Sequence, residues 1–317
     1  MKLKYVIKRL LIAIPTFLGI TFFTYLILSM AGSPLDAYLA DPRITVMELE
    51  RKRNSLGLDQ PIIIQYFIWL KNFFNMDLGF SFQSQRPVTQ MIFERMGITA
   101  LLAGSSLILS LLISIPLGIF SASKPNSFRD HASSAFSFIL VATPNFFMGL
   151  ILIYFCAIKL KLLPSGGLFD ASGKKTTLML LKHMILPTLV LSFQQIGSWM
   201  RYMRGSMLEV LQEDYITTAR AKGLKRNQVY YTHALKNSLI PIITVVGMSI
   251  PSLVGGAVVT EQVFGWPGIG TLMVQAINAK DYPVIMGITV NISIAVLIAN
   301  LITDLAYGLV DPRISYK

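Results

Sequence analysis

The sequence is poor in charge and nearly devoid of cysteine. Only 14% of its 317 residues are Asp, Glu, Lys or Arg, where a soluble domain carries about 25%. Cys156 is the single cysteine, which excludes a disulfide framework and a cysteine-based metal cluster. The three histidines, His131, His183 and His233, stand far apart without ligand spacing. They read as hydrogen-bonding residues near membrane boundaries. A phosphate-binding loop is also missing. The nearest match, Gly167 to Thr176, sets its glycines one residue too far apart and has Lys175 where a hydroxyl is required. No G-x-S-x-G elbow occurs. The chain therefore reads as a non-enzyme, with no cofactor and no metal of its own.

What the sequence has is hydrocarbon. Leu10 to Met30, Met96 to Ser123, Ala132 to Ile158, Asn237 to Thr260 and Tyr282 to Thr303 contain no charged residue. Each exceeds the roughly 20 residues that span a bilayer as a helix. His183 to Met200 is a shorter uncharged run within the usual range. The expectation is an all-α polytopic membrane protein with six transmembrane helices. Gln262 to Ala279 is also uncharged but rich in Gly, Pro, Gln and Asn, and reads as a loop with a short helix. The first apolar run follows four basic residues like a signal peptide. It is longer than a signal core, and Ala31 to Pro34 is a poor cleavage site, so a retained helix is expected.

Two regions follow: residues 1–95, a helix plus a large extracytoplasmic loop, and residues 96–317, a core of five spans. With the amino terminus in the cytoplasm, 15 basic residues fall inside and 13 outside; without the long first loop, which escapes the charge rule, the outside count is 6. Both termini are then cytoplasmic. The net charge of +12 is spread over several loops, which argues against nucleic acid and suits anionic membrane lipid. In the first loop, the aromatic run Tyr66 to Phe74 fits either a helix on the membrane interface or a small packed subdomain.

The charged segment Ser206 to Pro241 interrupts this pattern. Ser206 and Glu209 are spaced as a capping box, so a helix is expected to start at Met207. Leu208, Leu211, Tyr215 and Ala219 recur at helical spacing. Acidic residues sit toward the start and Arg220 and Lys222 toward the end, as the helix dipole prefers. Gly223 stands where a left-handed residue would close the helix. A second helix is expected from Arg226. Two helices meeting at a glycine form a protruding knob. A basic amphipathic helix lying on lipid is the alternative from pattern alone.

The stretch Thr217 to Gly223, TTARAKG, resembles the EAA loop (E-A-A-x-x-x-G) of ATP-binding-cassette importer permeases. Asp214-Tyr215 and His233 to Asn237 are similar to the dipeptide, oligopeptide and nickel branch. So are Leu56 to Asp59, Asp77 to Gly79, Ser114 to Gly118, Leu163-Pro164, Pro267 to Gly270, Asp281 to Pro283 and Asp311 to Ile314. Together these cover almost the whole chain. Thr217 and Thr218 depart from the motif, where the family has glutamate and alanine.

The resemblance implies a type I ABC importer permease fold in a prokaryotic inner membrane. It implies a second, homologous permease, two ATPase subunits that carry ATP and Mg, and an extracytoplasmic solute-binding protein. The implied solute is a peptide, with nickel chelates or glutathione as alternatives. ATPase coupling would fall on Tyr215, Thr218, Ala219, Ala221, Lys222, Gly223 and Leu224. Pathway candidates are Gln194, Ser198 and Arg201 on one helical face, and Asn300 and Asp304, with Thr303 and Tyr307, on another. Polar residues within spans also serve helix packing. Pro251 with Gly255-Gly256 is expected to kink or break the fifth span. A secondary transporter is the rival of a different class. It would need an ionisable coupling site deep in the membrane, and no acidic residue lies mid-span.

Overall fold

The computed structural model describes residues 3–32, 35, 45–55, 57–170 and 175–310. Among them the only extended pairing is an isolated bridge between Phe80 and Pro87. The helices, in order, are α1 (Leu3–Met30), α2 (Val46–Ser55), α3 (Ile62–Phe74), α4 (Val88–Ala122), α5 (Phe128–Ala142) and α6 (Asn145–Leu152). There follow α7 (Thr177–Val210), α8 (Asp214–Ala221), α9 (Leu235–Val263), α10 (Ile269–Asn278) and α11 (Tyr282–Val310). Among the described residues five helices are long and apolar enough to cross a membrane.

The third expected span is not straight. Within Ala132 to Ile158 the chain bends by 100° between α5 and α6, and the two together make a sixth crossing only if counted as one bent span. The cause is Pro144, which lacks an N–H and disfavours helix at the residue before it. Thr143 is accordingly extended, at φ −84° and ψ 123°. Beyond α6 the chain continues as a π-helical stretch, Ile153–Lys159. The fifth span is not broken at Pro251 and Gly255-Gly256: α9 is one helix, Leu235–Val263. The expected short helix in Gln262 to Ala279 is α10.

The chain divides into two compact units. The first comprises Lys2–Ile98 and Pro267–Ile298. Here α3 packs on α1 through an aromatic cluster. Tyr66 is buried; its hydroxyl lies 2.9 Å from Thr21 Oγ1 and donates to the Leu18 carbonyl. Its ring stacks on Trp69, and Trp69 on Phe73. Phe67 and Phe74, at the flank of this cluster, stay exposed. Thus α3 is in part packed subdomain and in part available to an interface. Asp281 is buried ahead of α11 and accepts from Ser81 Oγ and the Phe82 amide, which pins the turn before α4.

The second unit comprises Thr99–Trp266 and the chain from Ala299. Its helices approach closely because small residues sit at the crossings. A Cβ on Gly118 of α4 would lie 2.5 Å from Met203 Cβ of α7, and one on Gly197 of α7 would lie 2.7 Å from the Ser137 carbonyl of α5. Ser137 Oγ donates to the Gly197 carbonyl at 2.6 Å, so the glycine both admits α5 and bonds to it. Ser106, Ser110 and Ser114 line one buried face of α4, and Ser110 Oγ reaches the Ser192 carbonyl of α7. Gly247 of α9 admits Thr303 of α11 in the same way. Glu261, fully buried near the end of α9, accepts from Thr99 Oγ1 at 2.6 Å.

Candidate functional site: the polar knob between α7 and α9

The charged segment is built as follows. α7 does not end before Met207. It runs on to Val210, and Ser206 is buried within it, donating to the Ser238 carbonyl of α9. Ser206 therefore caps no helix, and the expected start at Met207 is overturned. The break comes at Leu211 to Glu213, and α8 begins at Asp214 with Glu213 as its N-cap. Leu208 thus lies before the break and Leu211 at its start, and neither shares a helix with Tyr215 and Ala219. The buried face of α8 is Ile216 and Ala219. They join an apolar cluster with Ile119 and Ala122 of α4, Met203 and Met207 of α7, and Ile242 of α9. That burial fixes a short helix that would be marginal alone.

Asp214 in the first turn and Arg220 in the last complement the helix dipole. Lys222 is the C-cap; its amide bonds to the Thr218 carbonyl at 3.1 Å, and the Gly223 amide to the Arg220 carbonyl at 3.0 Å. Gly223 follows at φ +75°, the left-handed conformation that favours glycine. After it a helical turn at Arg226–Gln228 and a π-helical stretch, Val229–Ala234, lead into α9. Helix, glycine and second helix thus form the expected knob. The Arg226 guanidinium donates to the Ser123 carbonyl at the end of α4, and Asn237 Nδ2 donates to Tyr215 Oη at 2.7 Å.

Of the residues singled out, Thr218, Ala221, Lys222 and Gly223 form an exposed surface. Tyr215 is 41% exposed. Ala219 is turned inward, 6% exposed, and Leu224 packs partly against the same cluster. A Cβ built on Gly223 meets nothing within 4 Å. The space beside the glycine is open.

The pathway candidates are distributed over two helices. Gln194 and Arg201 of α7 are exposed and Ser198 is half-buried. The Arg201 guanidinium lies over the Phe138 ring, 5.0 Å from its centroid. On α11, Asn300 is exposed, Asp304 half-buried, and Thr303 buried against Gly247. The side chain of Tyr307 lies outside the described residues.

The partners in two polar clusters could not be read from the sequence. His183 is buried, with Nδ1 3.0 and 3.1 Å from the Gly166 and Gly167 carbonyls and Nε2 3.0 Å from Asp170 Oδ1. The glycine-rich stretch that resembled a phosphate loop is thus tied to α7 by a histidine. Asp130 of α5 is also buried. It accepts from Arg204 Nε and Nη2 at 2.6 and 2.7 Å, from Ser121 Oγ at 2.7 Å and from the Asn126 amide at 2.9 Å. A single acid among basic neighbours was the only hint.

Long apolar helices with a polar segment between α7 and α9 mark a membrane-spanning protein. The fold is that of type I ABC importer permeases. It matches chains of the MetNI methionine ABC transporter in inward-facing conformations with TM-scores of 0.57 and 0.54, at 16% identity, covering 70% of this chain and 97% of theirs. At that identity the likeness speaks for the fold alone. The sequence gives the family. Residues 114–316 match the binding-protein-dependent transport system inner membrane component, and residues 2–103 match the N-terminal model of such membrane components. The chain belongs to this family. It is 43% identical to the oligopeptide transport system permease protein AppB of Bacillus subtilis over 314 residues, covering 98% of this chain and 99% of that one. It is 35% identical to the dipeptide transport system permease protein DppB of Escherichia coli over 337 residues, covering 99% of both.

Proposed function

We propose that this chain is the membrane-spanning subunit of an ATP-driven peptide importer. It pairs with a second, similar permease to enclose the pathway. Two ATPase subunits bind on the cytoplasmic side, where both chain termini also lie, and a solute-binding protein delivers peptide from outside. The observation that carries the reading is the knob, a polar helix resting on an apolar cluster and closed by a left-handed glycine with open space beside it. Full-length similarity to relatives named for oligopeptide and dipeptide transport supports peptide as the solute.

In this mechanism Tyr215, Thr218, Ala221, Lys222 and Gly223 present the docking surface. Ala219 and Leu224 support it from within. Gly223 leaves room for close approach, and the Lys222 ammonium is available to an acidic partner group. ATP closes the ATPase pair, the pair pushes the knob, and α7 and α9, which flank it, carry the displacement into the membrane. Gln194, Ser198, Arg201, Asn300 and Asp304 face the pathway. Nucleotide and Mg stay on the ATPase subunits. Solute and ATP then bias one two-state pathway from opposite sides.

The test is uptake of labelled trialanine into proteoliposomes that hold this chain, its partner permease and the two ATPases. Uptake is expected only with ATP and binding protein together, and none from this chain alone. Uptake by the isolated chain driven by an ion gradient would refute the reading and mark a secondary transporter.

A further inference from the structure

The Asp130–Arg204 cluster is built more strongly than a staple between helices requires. One carboxylate gathers four hydrogen bonds from three places: Ser121 near the end of α4, the turn amide of Asn126, and both faces of the Arg204 fork on α7. The carboxylate is 3% exposed and the guanidinium 30%. A buried ion pair contributes little net stability, since desolvating the charges offsets their attraction. A two-pronged guanidinium–carboxylate contact instead fixes direction, because both prongs must align.

The position of the pair gives that direction a use. Arg204 lies on the last turns of α7, ten residues before α8 begins. Met203 and Met207, on either side of it, pack in the cluster that also buries Ile216 and Ala219 of α8. Ser206 ties the same stretch of α7 to the Ser238 carbonyl of α9. The close approach of α4 and α7 at Gly118 and Met203 is one residue from Arg204.

We propose that Asp130 and Arg204 are positioning residues for coupling. They hold the end of α7 in one orientation on α4 and α5, so that a push on α8 moves these helices as a body rather than bending α7. A staple that serves only the fold would leave transport tracking the amount of folded protein. A positioning pair predicts that without it the knob loses its fixed orientation and a push on it is no longer transmitted, while the fold remains.

The first test uses the full chain alone, with Cys156→Ser and spin labels at Phe128→Cys on α5 and Thr217→Cys on α8, both exposed positions. The distance distribution is expected to be narrow, and at least about twice as broad with Arg204→Met and Asp130→Leu together, at unchanged thermal stability. An unchanged width overturns the proposal. The second test rests on the importer reading and uses the assembled transporter. Arg204→Lys keeps the charge and loses the fork. Trialanine uptake per ATP hydrolysed is expected to fall about fivefold or more at normal membrane abundance. An unchanged ratio, or a fall in uptake that only follows abundance, overturns the proposal. If the unmodified transporter shows no ATP-driven uptake, the importer reading fails, and the spin-label widths still decide this inference.

Discussion

Gly223→Asp should separate folding from coupling. Gly223 sits at φ +75°, where an L-residue costs roughly 1–2 kcal/mol, with Asp and Asn toward the low end. A Cβ there meets no atom of this chain within 4 Å, so no clash adds to the backbone term. The chain should insert and fold with a loss on the order of 1 kcal/mol. The docked state differs. If the open space is where an ATPase comes close, the new carboxylate is carried out of water without a partner, at a cost of several kcal/mol. At 1.4 kcal/mol per factor of ten, a 3 kcal/mol penalty weakens docking about 100-fold. The assay is trialanine uptake and ATPase co-purification, normalised to membrane abundance. Uptake should fall at least about tenfold at normal abundance, and Gly223→Asn, which tolerates the same backbone without the charge, should lie between. Uptake by Gly223→Asp at the unmodified rate would refute the reasoning.

Other substitutions test the packing beneath the knob. Gly197→Ala drives a methyl to within 2.7 Å of the Ser137 carbonyl and should cost about 1–3 kcal/mol, read as a lower melting temperature. Gly205→Ala, eight residues along the same helix, meets nothing within 4 Å and should be neutral or stabilising by up to about 1 kcal/mol. Ile216→Ala removes a fully buried side chain from the cluster under α8. It should cost about 2–5 kcal/mol and lower folded abundance and uptake together, unlike Gly223→Asp.

Most of the architecture was legible in the sequence because hydrocarbon thickness imposes a length on uncharged runs. The exceptions have local causes. Thr143-Pro144 bends what composition alone makes one span, since a window of apolar residues does not register a missing N–H. Pro251 fails to break α9 although proline usually does so. The knob was legible in kind: Gly223, Asp214 and Arg220 stand where helix geometry wants them. Its start was misread, because Ser206 and Glu209 have capping-box spacing inside a helix that continues to Val210. Burial decided that, with Ser206 bonded to Ser238, thirty-two residues away. The Asp130–Arg204 pair spans seventy-four residues, and no local pattern connects its members.

The central claim is that the α8–Gly223 knob enters a cleft on an ATPase subunit. Site-directed cross-linking tests it most directly. Ala221→Cys in the Cys156→Ser chain, co-expressed with its partner subunits, would be treated with a short thiol–amine cross-linker. The account predicts a covalent product between this chain and an ATPase subunit, suppressed by Gly223→Asp. A knob that labels fully with a soluble thiol reagent in the assembled complex, and never cross-links to an ATPase, would contradict it.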